Sequence, residues 1–184
     1  MISAKKITYS NKNIRDIKAL LKSAFPKVER MPFWMLMLRA KFKSVEFLAF
    51  YDNSQFCGIA YLVTHENMTF ILYLAVDSKL RSKGYGSKIL NFISERYKIY
   101  RIILDIEAID EAADNFEERK KRKNFYLSNG YVSSGYGFIL DDVAYEVLQK
   151  GEEFDAEKCL ELFNRFSFGM VKIKLYPISV FKYL

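Results

Sequence analysis

Residues 74–90 read LAVDSKLRSKGYGSKIL and place two of the chain's eight glycines, Gly84 and Gly86, among basic side chains. The run before these glycines is strand-like and the run after them is helix-like. Because glycine has no Cβ, it lets a backbone turn sharply and approach a ligand closely. Where a strand turns into a helix, the first backbone N–H groups lack helical partners and the helix dipole adds partial positive charge. The stretch therefore predicts a turn that binds a phosphate-bearing ligand.

The spacing at this turn is R-x-x-G-x-G, from Arg81 to Gly86. Alone it is a weak signal, because a glycine turn before a helix is commonly no more than a turn. It is not a Walker loop, which ends in Gly-Lys-Ser/Thr, and it is not the G-x-G-x-x-G fingerprint of dinucleotide sites. The residues expected around a bound pyrophosphate are Arg81, Ser82, Lys83, Gly84, Tyr85, Gly86 and Ser87, with Lys88 adding charge.

The composition favours one globular domain with room for a small appendage. The chain has 184 residues, 51% of them hydrophobic, which is enough to build a core. Its formal net charge of +7 suits a polyanionic partner: nucleic acid, an anionic membrane surface or a phosphorylated cofactor. Charge alone does not choose among these three.

Compartment is inferred from the cysteines and from the apolar runs. Cys57 and Cys159 form no metal or redox spacing, and we expect both to be free thiols. Residues 1–18 lack the continuous apolar stretch of a signal peptide, and no run approaches the roughly 20 residues that span a bilayer. The expected location is the reducing cytoplasm.

Hydrophobic periodicity predicts alternating helices and strands. The predicted helices cover 13–24, 32–42, 87–97 and 115–128, and the predicted strands cover 45–52, 56–65, 68–76, 101–108, 135–140 and 143–148. Asn13 is a plausible N-cap, Asp114 and Glu117 stand at capping-box spacing, and Gly130 is expected to end the fourth helix. This order indicates an α/β domain with a mixed sheet.

The last 34 residues are expected to extend this domain, which gives a core of 1–150 and an extension of 151–184. Within the extension, 154–166 reads as an amphipathic helix opened by Asp155. Residues 171–177 read as an edge strand halted by Pro177. There is no Gly/Ser/Pro-rich linker between the two parts.

Two further motifs accompany the glycine turn. YLAVDSKL (Tyr73–Leu80) leads into it, and NFYLSNGY (Asn124–Tyr131) follows roughly forty residues later. With these motifs in this order, residues 6–149 resemble the GCN5-related N-acetyltransferase (GNAT) family. The resemblance implies the acyl-CoA N-acyltransferase fold: an α+β domain whose mixed, mostly antiparallel sheet has helices on both faces, here with a C-terminal extension.

The resemblance also implies a cofactor site. Acetyl-CoA would lie between the fourth and fifth strands, with its pyrophosphate on the glycine turn. Its pantetheine arm would pair with the backbone of Leu74, Ala75 and Val76. Many relatives carry an asparagine seven residues before the key tyrosine, and here that position is Arg119. Asn124 lies nearby but out of phase, so the contact is either absent or replaced by a basic side chain.

Direct attack of an amine on the thioester makes three chemical demands. A lysine-like amine has a pKa of about 10.4 and must lose a proton to a carboxylate or to a water held by one. Glu107 is the first candidate and Glu29 the second, although either carboxylate can equally be a surface or ion-paired group. A backbone N–H near Val76 would stabilise the oxyanion. Tyr126 would protonate the departing thiolate, unless it is simply a core aromatic.

The sequence thus predicts a cytoplasmic, metal-independent N-acetyltransferase that uses acetyl-CoA, as a monomer or homodimer. The expected acceptor is a primary amine of a small molecule, bound by a pocket that includes Phe33, Trp34 and Met37. A protein N-terminal or lysine amine is the alternative. A non-catalytic CoA-binding or sensing module is a rival reading.

A nucleic-acid-binding protein is a second rival, although neither a nucleic acid nor a membrane is the expected partner. Residues 119–123 read RKKRK, but base-stacking aromatics are not interleaved with this run. The run is expected to face solvent and the 3′-phosphate end of CoA. His65 is the only histidine, and its place in a turn indicates an incidental role.

Overall fold

The computed structural model describes residues 2–167 and 173–183. Its strands are β1 (Ile2–Lys6), β2 (Val45–Asp52), β3 (Gln55–His65), β4 (Met68–Val76), β5 (Arg101–Glu107), β6 (Val132–Leu140), β7 (Val143–Lys150) and β8 (Tyr176–Pro177). Its α-helices are α1 (Ile14–Ala24), α2 (Phe33–Arg39), α3 (Tyr85–Arg96), α4 (Phe116–Ser128) and α5 (Ala156–Ser167). The eight strands form one mostly antiparallel sheet in the order β1-β2-β3-β4-β5-β7-β6-β8, in which β4 and β5 pair in parallel. The predicted mixed α/β class is confirmed.

The chain divides into two compact units, each described here by itself. The first comprises Met1–Val63 and Ile71–Arg96, and the second comprises Thr64–Phe70 and Tyr97–Leu184. The boundary expected at residue 150 stays a prediction. No helix in the described part of the chain is both long enough and apolar enough to cross a membrane.

The first unit is built on β2, whose neighbours β1 and β3 both run antiparallel to it. The register of β2 and β3 shifts between Phe50 and Tyr51, which marks a β-bulge. Three apolar positions on one face of α1 are buried: Ile17, Leu20 and Leu21. The corresponding positions of α3 are Ile89, Leu90 and Ile93, each fully buried.

Gly58, in the middle of β3, allows close packing inside this unit. A Cβ at Gly58 would overlap the carbonyl oxygen of Ala75 in β4 and would lie 3.1 Å from Cδ1 of Ile89 in α3. Glycine is therefore required here for the close approach of β4 and α3.

The second unit contains a sheet of β5, β7, β6 and β8 with the first residues of β4. Met68–Phe70 pair in parallel with Arg101–Ile103, and the other pairings are antiparallel. The Phe163 ring of α5 packs edge-on against Phe70 (5.0 Å between ring centroids) and Phe138 (5.7 Å). Asp155 caps α5 as expected, since its Oδ1 accepts the backbone N–H of Lys158 at 3.1 Å.

Several element boundaries differ from the prediction. The strand β1 was not predicted, α3 begins at Tyr85 rather than residue 87, and β6 begins at Val132 rather than residue 135. Part of the expected edge strand, 171–172, lies outside the described residues. Of residues 173–177, only Tyr176 and Pro177 form a strand, and Pro177 is the last residue of β8.

The two expected N-caps also behave differently from the prediction. Asn13 occupies the N-cap of α1, but its side-chain amide donates to Asp16 rather than capping the helix. The N-cap of α4 is Asn115, one residue after Asp114. Gly130 does end α4: it has φ +81°, and the N–H groups of Gly130 and Tyr131 bond to the carbonyls of Leu127 and Tyr126, which is a Schellman motif.

Candidate functional site

The glycine turn lies in the first unit, between β4 and α3, and we call residues 81–87 the cradle. A short 3₁₀ turn, Ser78–Leu80, precedes it and is capped by the side chain of Asp77. The first helical bond of α3 runs from the Lys88 N–H to the Gly84 carbonyl at 3.1 Å. The N–H groups of residues 85–87 precede that bond and have no carbonyl acceptor within the helix. They are available to an anion at the positive end of the helix dipole.

The backbone of the cradle is held in an uncommon conformation. Ser82 has φ +61° and Gly84 has φ +76°, both in the left-handed region. Among the described residues, the other non-glycine positions with positive φ all lie in the turns of β-hairpins: Asn53, Ser54, Glu66, Asp141 and Asp142. A left-handed serine costs roughly 1 kcal/mol. Such strain is characteristic of backbone shaped for a ligand.

The space above Gly84 is open. Apart from its chain neighbours, a Cβ built at Gly84 would meet no atom of the described residues within 4 Å, so packing does not demand glycine here, although the left-handed backbone favours it. Arg81, Ser82, Lys83 and Gly84 are all exposed. The arrangement suits a diphosphate that approaches the backbone amides directly.

Lys88 is turned partly toward the protein rather than toward the cradle. Its ammonium lies 4.0 Å from Oδ2 of Asp52 and 4.6 Å from the centroid of the Tyr85 ring. The Tyr85 hydroxyl also donates to Asp52 at 3.2 Å. The basic side chains that surround the cradle on its exposed side are therefore Arg81 and Lys83.

The last residues of β4 lead through the 3₁₀ turn into the cradle. Leu74 and Val76 are half-buried, while Ala75 is buried next to Gly58. The Asp77 N–H donates to the Cys57 carbonyl at 2.8 Å, which ties the end of β4 to β3. The backbone expected to hold a pantetheine arm is thus fixed relative to the backbone expected to hold the pyrophosphate.

Glu29 lies on the loop between α1 and α2, which Tyr73 of β4 anchors. The Tyr73 hydroxyl donates to the Glu29 carbonyl at 2.7 Å and accepts the Met31 N–H at 3.0 Å. The Glu29 residue itself is exposed. One buried phenol therefore fixes the position of this loop on β4, three residues before Val76.

Glu107, in the second unit, is held by cationic and amide donors at the end of β5. Its carboxylate lies 2.7 Å from the Arg122 guanidinium and 3.2 Å from that of Arg119, and the Asn115 amide donates to both oxygens at 3.2 Å. Desolvation opposes the charged form, but these partners outweigh it and hold the pKa of Glu107 below its ordinary value. A carboxylate in this state is a weaker base than a free glutamate.

Arg119 is committed to the same network. Its Nε donates to the Asn115 side chain at 2.7 Å and its Nη1 to the Ala108 carbonyl at 2.9 Å, in addition to the Glu107 ion pair. The side chain is only 11% exposed. It is therefore engaged within the protein at the position where many relatives use asparagine to contact the cofactor.

The expectation that RKKRK faces solvent is only partly right. Lys120 and Lys121 are exposed, but Arg119 is largely buried and Arg122 binds Glu107. Lys123 lies 2.6 Å from the buried carboxylate of Glu146. Three of the five basic residues therefore form ion pairs within the second unit.

Tyr126 lies on α4, where its ring meets Phe125 (5.1 Å between centroids) and Tyr131 (5.7 Å). Desolvation raises the pKa of its phenol to about 12, with a smaller opposing effect from Arg122. The hydroxyl thus stays protonated well above neutral pH and remains a hydrogen-bond donor. Asn124, two residues earlier, is exposed.

The three aromatic and sulfur side chains expected in an acceptor pocket have different environments. Trp34 is 60% exposed, Phe33 is half-buried and Met37 is only 8% exposed. Met37 thus belongs to the core of the first unit, whereas Trp34 faces solvent.

His65 has a structural partner in the second unit. Its Nε2 lies 3.5 Å from the Glu161 carboxylate of α5. Within the described residues, His65, Glu66 and Glu161 have ligand-type atoms within 4.8 Å of one another. Lys158 already forms an ion pair with Glu66 at 3.0 Å.

The expected site residues therefore form two groups. The first unit holds the cradle, the backbone of 74–76 and Glu29, and the second holds Glu107, Asn124 and Tyr126. Sequence reasoning missed Gly58 and Tyr73, whose roles depend on partners distant along the chain. It also missed Asn115, which bonds to Glu107 and Arg119. Only Gly58 left a sequence signal, as an isolated glycine inside a strand pattern.

Comparison with known proteins identifies the fold. The family model of the acetyltransferase (GNAT) domain matches residues 43–133. A GNAT-family protein from Bacteroides thetaiotaomicron has 22% identity and a TM-score of 0.73, over 92% of this chain and 98% of that one. An aminoglycoside 6'-N-acetyltransferase complexed with coenzyme A has 16% identity and a TM-score of 0.63, over 83% and 99%. The ribosomal-protein-S18-alanine N-acetyltransferase from Escherichia coli has 12% identity and a TM-score of 0.60, over 85% of this chain and 97% of that one.

At these identities the structural likeness shows the fold alone. No curated protein sequence matches the chain significantly. The family model and the fold agree with each other, and both agree with the motifs around the cradle. Residues 43–133 match the GNAT acetyltransferase domain, and the chain has the fold of the GNAT family.

Proposed function

We propose that this protein transfers an acetyl group from acetyl-CoA to the primary amine of a small molecule, by direct attack of the amine on the thioester. The observation that carries the proposal is the cradle: helix amides without intrahelical acceptors, a left-handed backbone at Ser82 and Gly84, and open space above Gly84. These features match what a pyrophosphate requires of a protein backbone.

Cofactor binding is assigned to the cradle and to β4. The amides of Ser82, Lys83, Gly84, Tyr85, Gly86 and Ser87 would hold the pyrophosphate, with Arg81 and Lys83 supplying positive charge. The backbone of Leu74, Ala75 and Val76 would pair with the pantetheine arm. A solved neighbour of the same fold carries coenzyme A, which supports this assignment. Asn124 is retained as a proposed contact.

We assign the removal of the amine proton to Glu29, directly or through a water. The ion pairs of Glu107 lower its affinity for a proton, which counts against this first candidate from the sequence. Glu29 lies on a loop that Tyr73 fixes to β4, the strand proposed to hold the pantetheine arm. An N–H near Val76 would stabilise the negative charge that develops on the thioester oxygen.

Tyr126 is proposed as the donor to the departing sulfur. Proton transfer from a phenol of pKa about 12 to a free thiolate of pKa about 8.5 is unfavourable by about 3.5 pKa units, or about 5 kcal/mol. Burial of the sulfur narrows that gap, because it raises the thiol pKa as well. Tyr126 therefore acts mainly by hydrogen bonding, with solvent supplying the final proton.

Two alternatives keep the same fold. A protein N-terminal or lysine amine would replace the small molecule, as the name of one structural neighbour states for that protein. A non-catalytic module would bind CoA through the same cradle without transferring the acetyl group.

The test is acetyl-CoA turnover, followed by release of free thiol, against polyamines, amino acids, aminoglycosides and peptides. Turnover on a small amine supports the proposal, and turnover on peptides alone supports the protein-directed alternative. If acetyl-CoA binds but is consumed with no member of the panel, the protein is the non-catalytic module. Failure of CoA to bind contradicts both.

A further inference from the structure

The positive charge of the chain is concentrated in its first 44 residues. This segment has eleven Lys and Arg against two acidic residues, Asp16 and Glu29, a formal net charge of +9. Residues 45–184 together carry −2, so the first segment accounts for more than the whole net charge of +7. Such a local excess attracts polyanionic partners at long range.

The same segment exposes large apolar side chains. Trp34 is 60% exposed and Leu38 is 51% exposed. Because they stand four residues apart, they share one face of α2, while Leu36 and Met37 are buried in the core. Phe42, in the turn after α2, is 54% exposed. Clustered exposed apolar side chains commonly mark a binding surface.

Cationic and aromatic side chains meet at the start of α2. The Tyr9 ring lies edge-on to the Phe33 ring, with 6.2 Å between their centroids. The Lys18 ammonium of α1 lies 5.0 Å from the centroid of Phe33. We call Tyr9, Lys18, Phe33, Trp34 and Leu38 the α2 face. Two exposed lysines, Lys41 and Lys43, follow just after α2.

We propose that the α2 face docks on an anionic lipid surface. Tryptophan, phenylalanine and leucine side chains insert at the boundary between headgroups and acyl chains, and flanking lysines are attracted to anionic headgroups. No membrane partner was expected from the sequence, although its net charge of +7 suits an anionic membrane surface as well as other polyanions. Docking at the interface requires no spanning helix.

Other occupants fit these observations less well. Nucleic acid would use the lysines and the aromatic rings, but it offers no apolar surface to Leu38, which is 51% exposed. A symmetric contact with a second copy would bring two segments of +9 together, which repel each other.

The experiment uses Trp34, the only tryptophan in the chain, as its probe. The complete protein is titrated with vesicles of phosphatidylglycerol and, separately, of phosphatidylcholine, at about 0.1 M and about 0.5 M salt. We expect a blue shift of Trp34 emission and co-sedimentation with phosphatidylglycerol vesicles, both weaker at the higher salt. We expect neither with phosphatidylcholine vesicles.

Matched variants distinguish binding through the α2 face from nonspecific hydrophobic or electrostatic binding. Leu38→Ser should weaken co-sedimentation about tenfold, the effect of one buried leucine. Ile99→Ser, which removes a 79% exposed isoleucine from the second unit, should not. The pair Lys41→Glu/Lys43→Glu should weaken binding about tenfold or more, and Lys120→Glu/Lys121→Glu, with the same change in net charge, should not.

Three outcomes would overturn the proposal. The first is no binding to phosphatidylglycerol vesicles at low salt. The second is a shift of Trp34 emission by a single-stranded oligonucleotide or by polyglutamate at concentrations where vesicles give none. The third is equal weakening by the control variants. None of these depends on acetyl transfer, so failure here leaves the enzymatic proposal untouched.

Discussion

The Arg119 guanidinium lies 3.2 Å from the Glu107 carboxylate, and this ion pair joins α4 to the end of β5. Arg119 stands where many relatives carry a cofactor-binding asparagine, and Glu107 was the first candidate for the catalytic base. The contact between them uses both side chains inside the second unit. It favours a structural role for the pair and leads to the first prediction.

Glu107→Gln should lower the free energy of unfolding by about 2 kcal/mol at pH 7, because it leaves two arginines without their carboxylate. The pKa of Glu107 is held below its ordinary value of 4.5, so its ion pairs stabilise the folded state above that pH. Their contribution is lost as the pH falls through the lowered pKa. Chemical denaturation from pH 7 to pH 3 should therefore show the difference between variant and wild type shrinking. Glu117→Gln, an exposed position of α4, is the control. A difference that grows toward acid pH would contradict the ion-pair account.

Gly84→Val should weaken CoA binding at least about tenfold, the equivalent of one lost charge-assisted hydrogen bond. The side chain would occupy the open space that a pyrophosphate needs, and the backbone at φ +76° disfavours a β-branched residue. Gly135→Val is a matched control: Gly135 has φ +80° and equally open surroundings, but it lies in β6. Calorimetric titration of both variants with CoA measures the difference. Equal losses in the two would mean that backbone strain, rather than the cradle, explains the effect.

Tyr126→Phe should slow acetyl transfer about tenfold to 100-fold while leaving CoA affinity nearly unchanged, since it removes only the proposed donor. Because the pKa of Tyr126 is raised to about 12, ionisation of this phenol should not reduce the wild-type rate as the pH rises to about 10. Steady-state rates across pH 7 to about 10 provide the measurement. A comparable loss of CoA affinity would count against the donor role.

Tyr131→Phe is the natural comparison for that variant. The Tyr131 ring packs against Tyr126, but its buried hydroxyl forms no hydrogen bond with any of the described residues. Removing it should leave the rate unchanged and should leave stability unchanged or raise it by about 1 kcal/mol, since a desolvated group is eliminated. A thermal or chemical unfolding curve decides this. A marked destabilisation would show that the hydroxyl has a partner after all.

Gly58→Ala should destabilise the protein by about 2 kcal/mol, because the added methyl group overlaps the Ala75 carbonyl oxygen and crowds Ile89. The same change should weaken CoA binding, since Ala75 and α3 position the backbone on either side of the cradle. Gly84→Ala, where the added Cβ meets no protein atom, should cost about 1 kcal/mol or less of stability. Denaturant midpoints compare the two. Equal stability of the variants would exclude the close approach at Gly58.

Local signals in the sequence predicted most of the strands and the turn at Gly84. The bounds predicted for β2 and β4 agree with the structure, because each is a run of branched and aromatic residues ended by turn residues. Gly84 has the positive φ that a tight turn requires. By contrast, β1 has few apolar residues, and pairing with β2 rather than its own composition makes it a strand.

Side-chain partners were harder to predict than elements. Asn115, rather than the predicted Asp114, is the N-cap of α4. Its side chain bonds to Glu107 and Arg119 instead of capping the helix. Arg119 read as a solvent-facing member of a basic run, but folding brings it to a carboxylate twelve residues earlier. Such contacts depend on how β5 and α4 meet, and no periodic pattern encodes this.

The central claim is that the backbone amides of the cradle bind a pyrophosphate. Amide resonances of the ¹⁵N-labelled protein can be followed during titration with CoA and, separately, with pantetheine, which lacks the pyrophosphate. The account predicts that CoA produces the largest shifts at residues 82–87 and that pantetheine leaves those resonances in place. If CoA binds while residues 82–87 do not shift, or if pantetheine moves them equally, the cradle is not the pyrophosphate site.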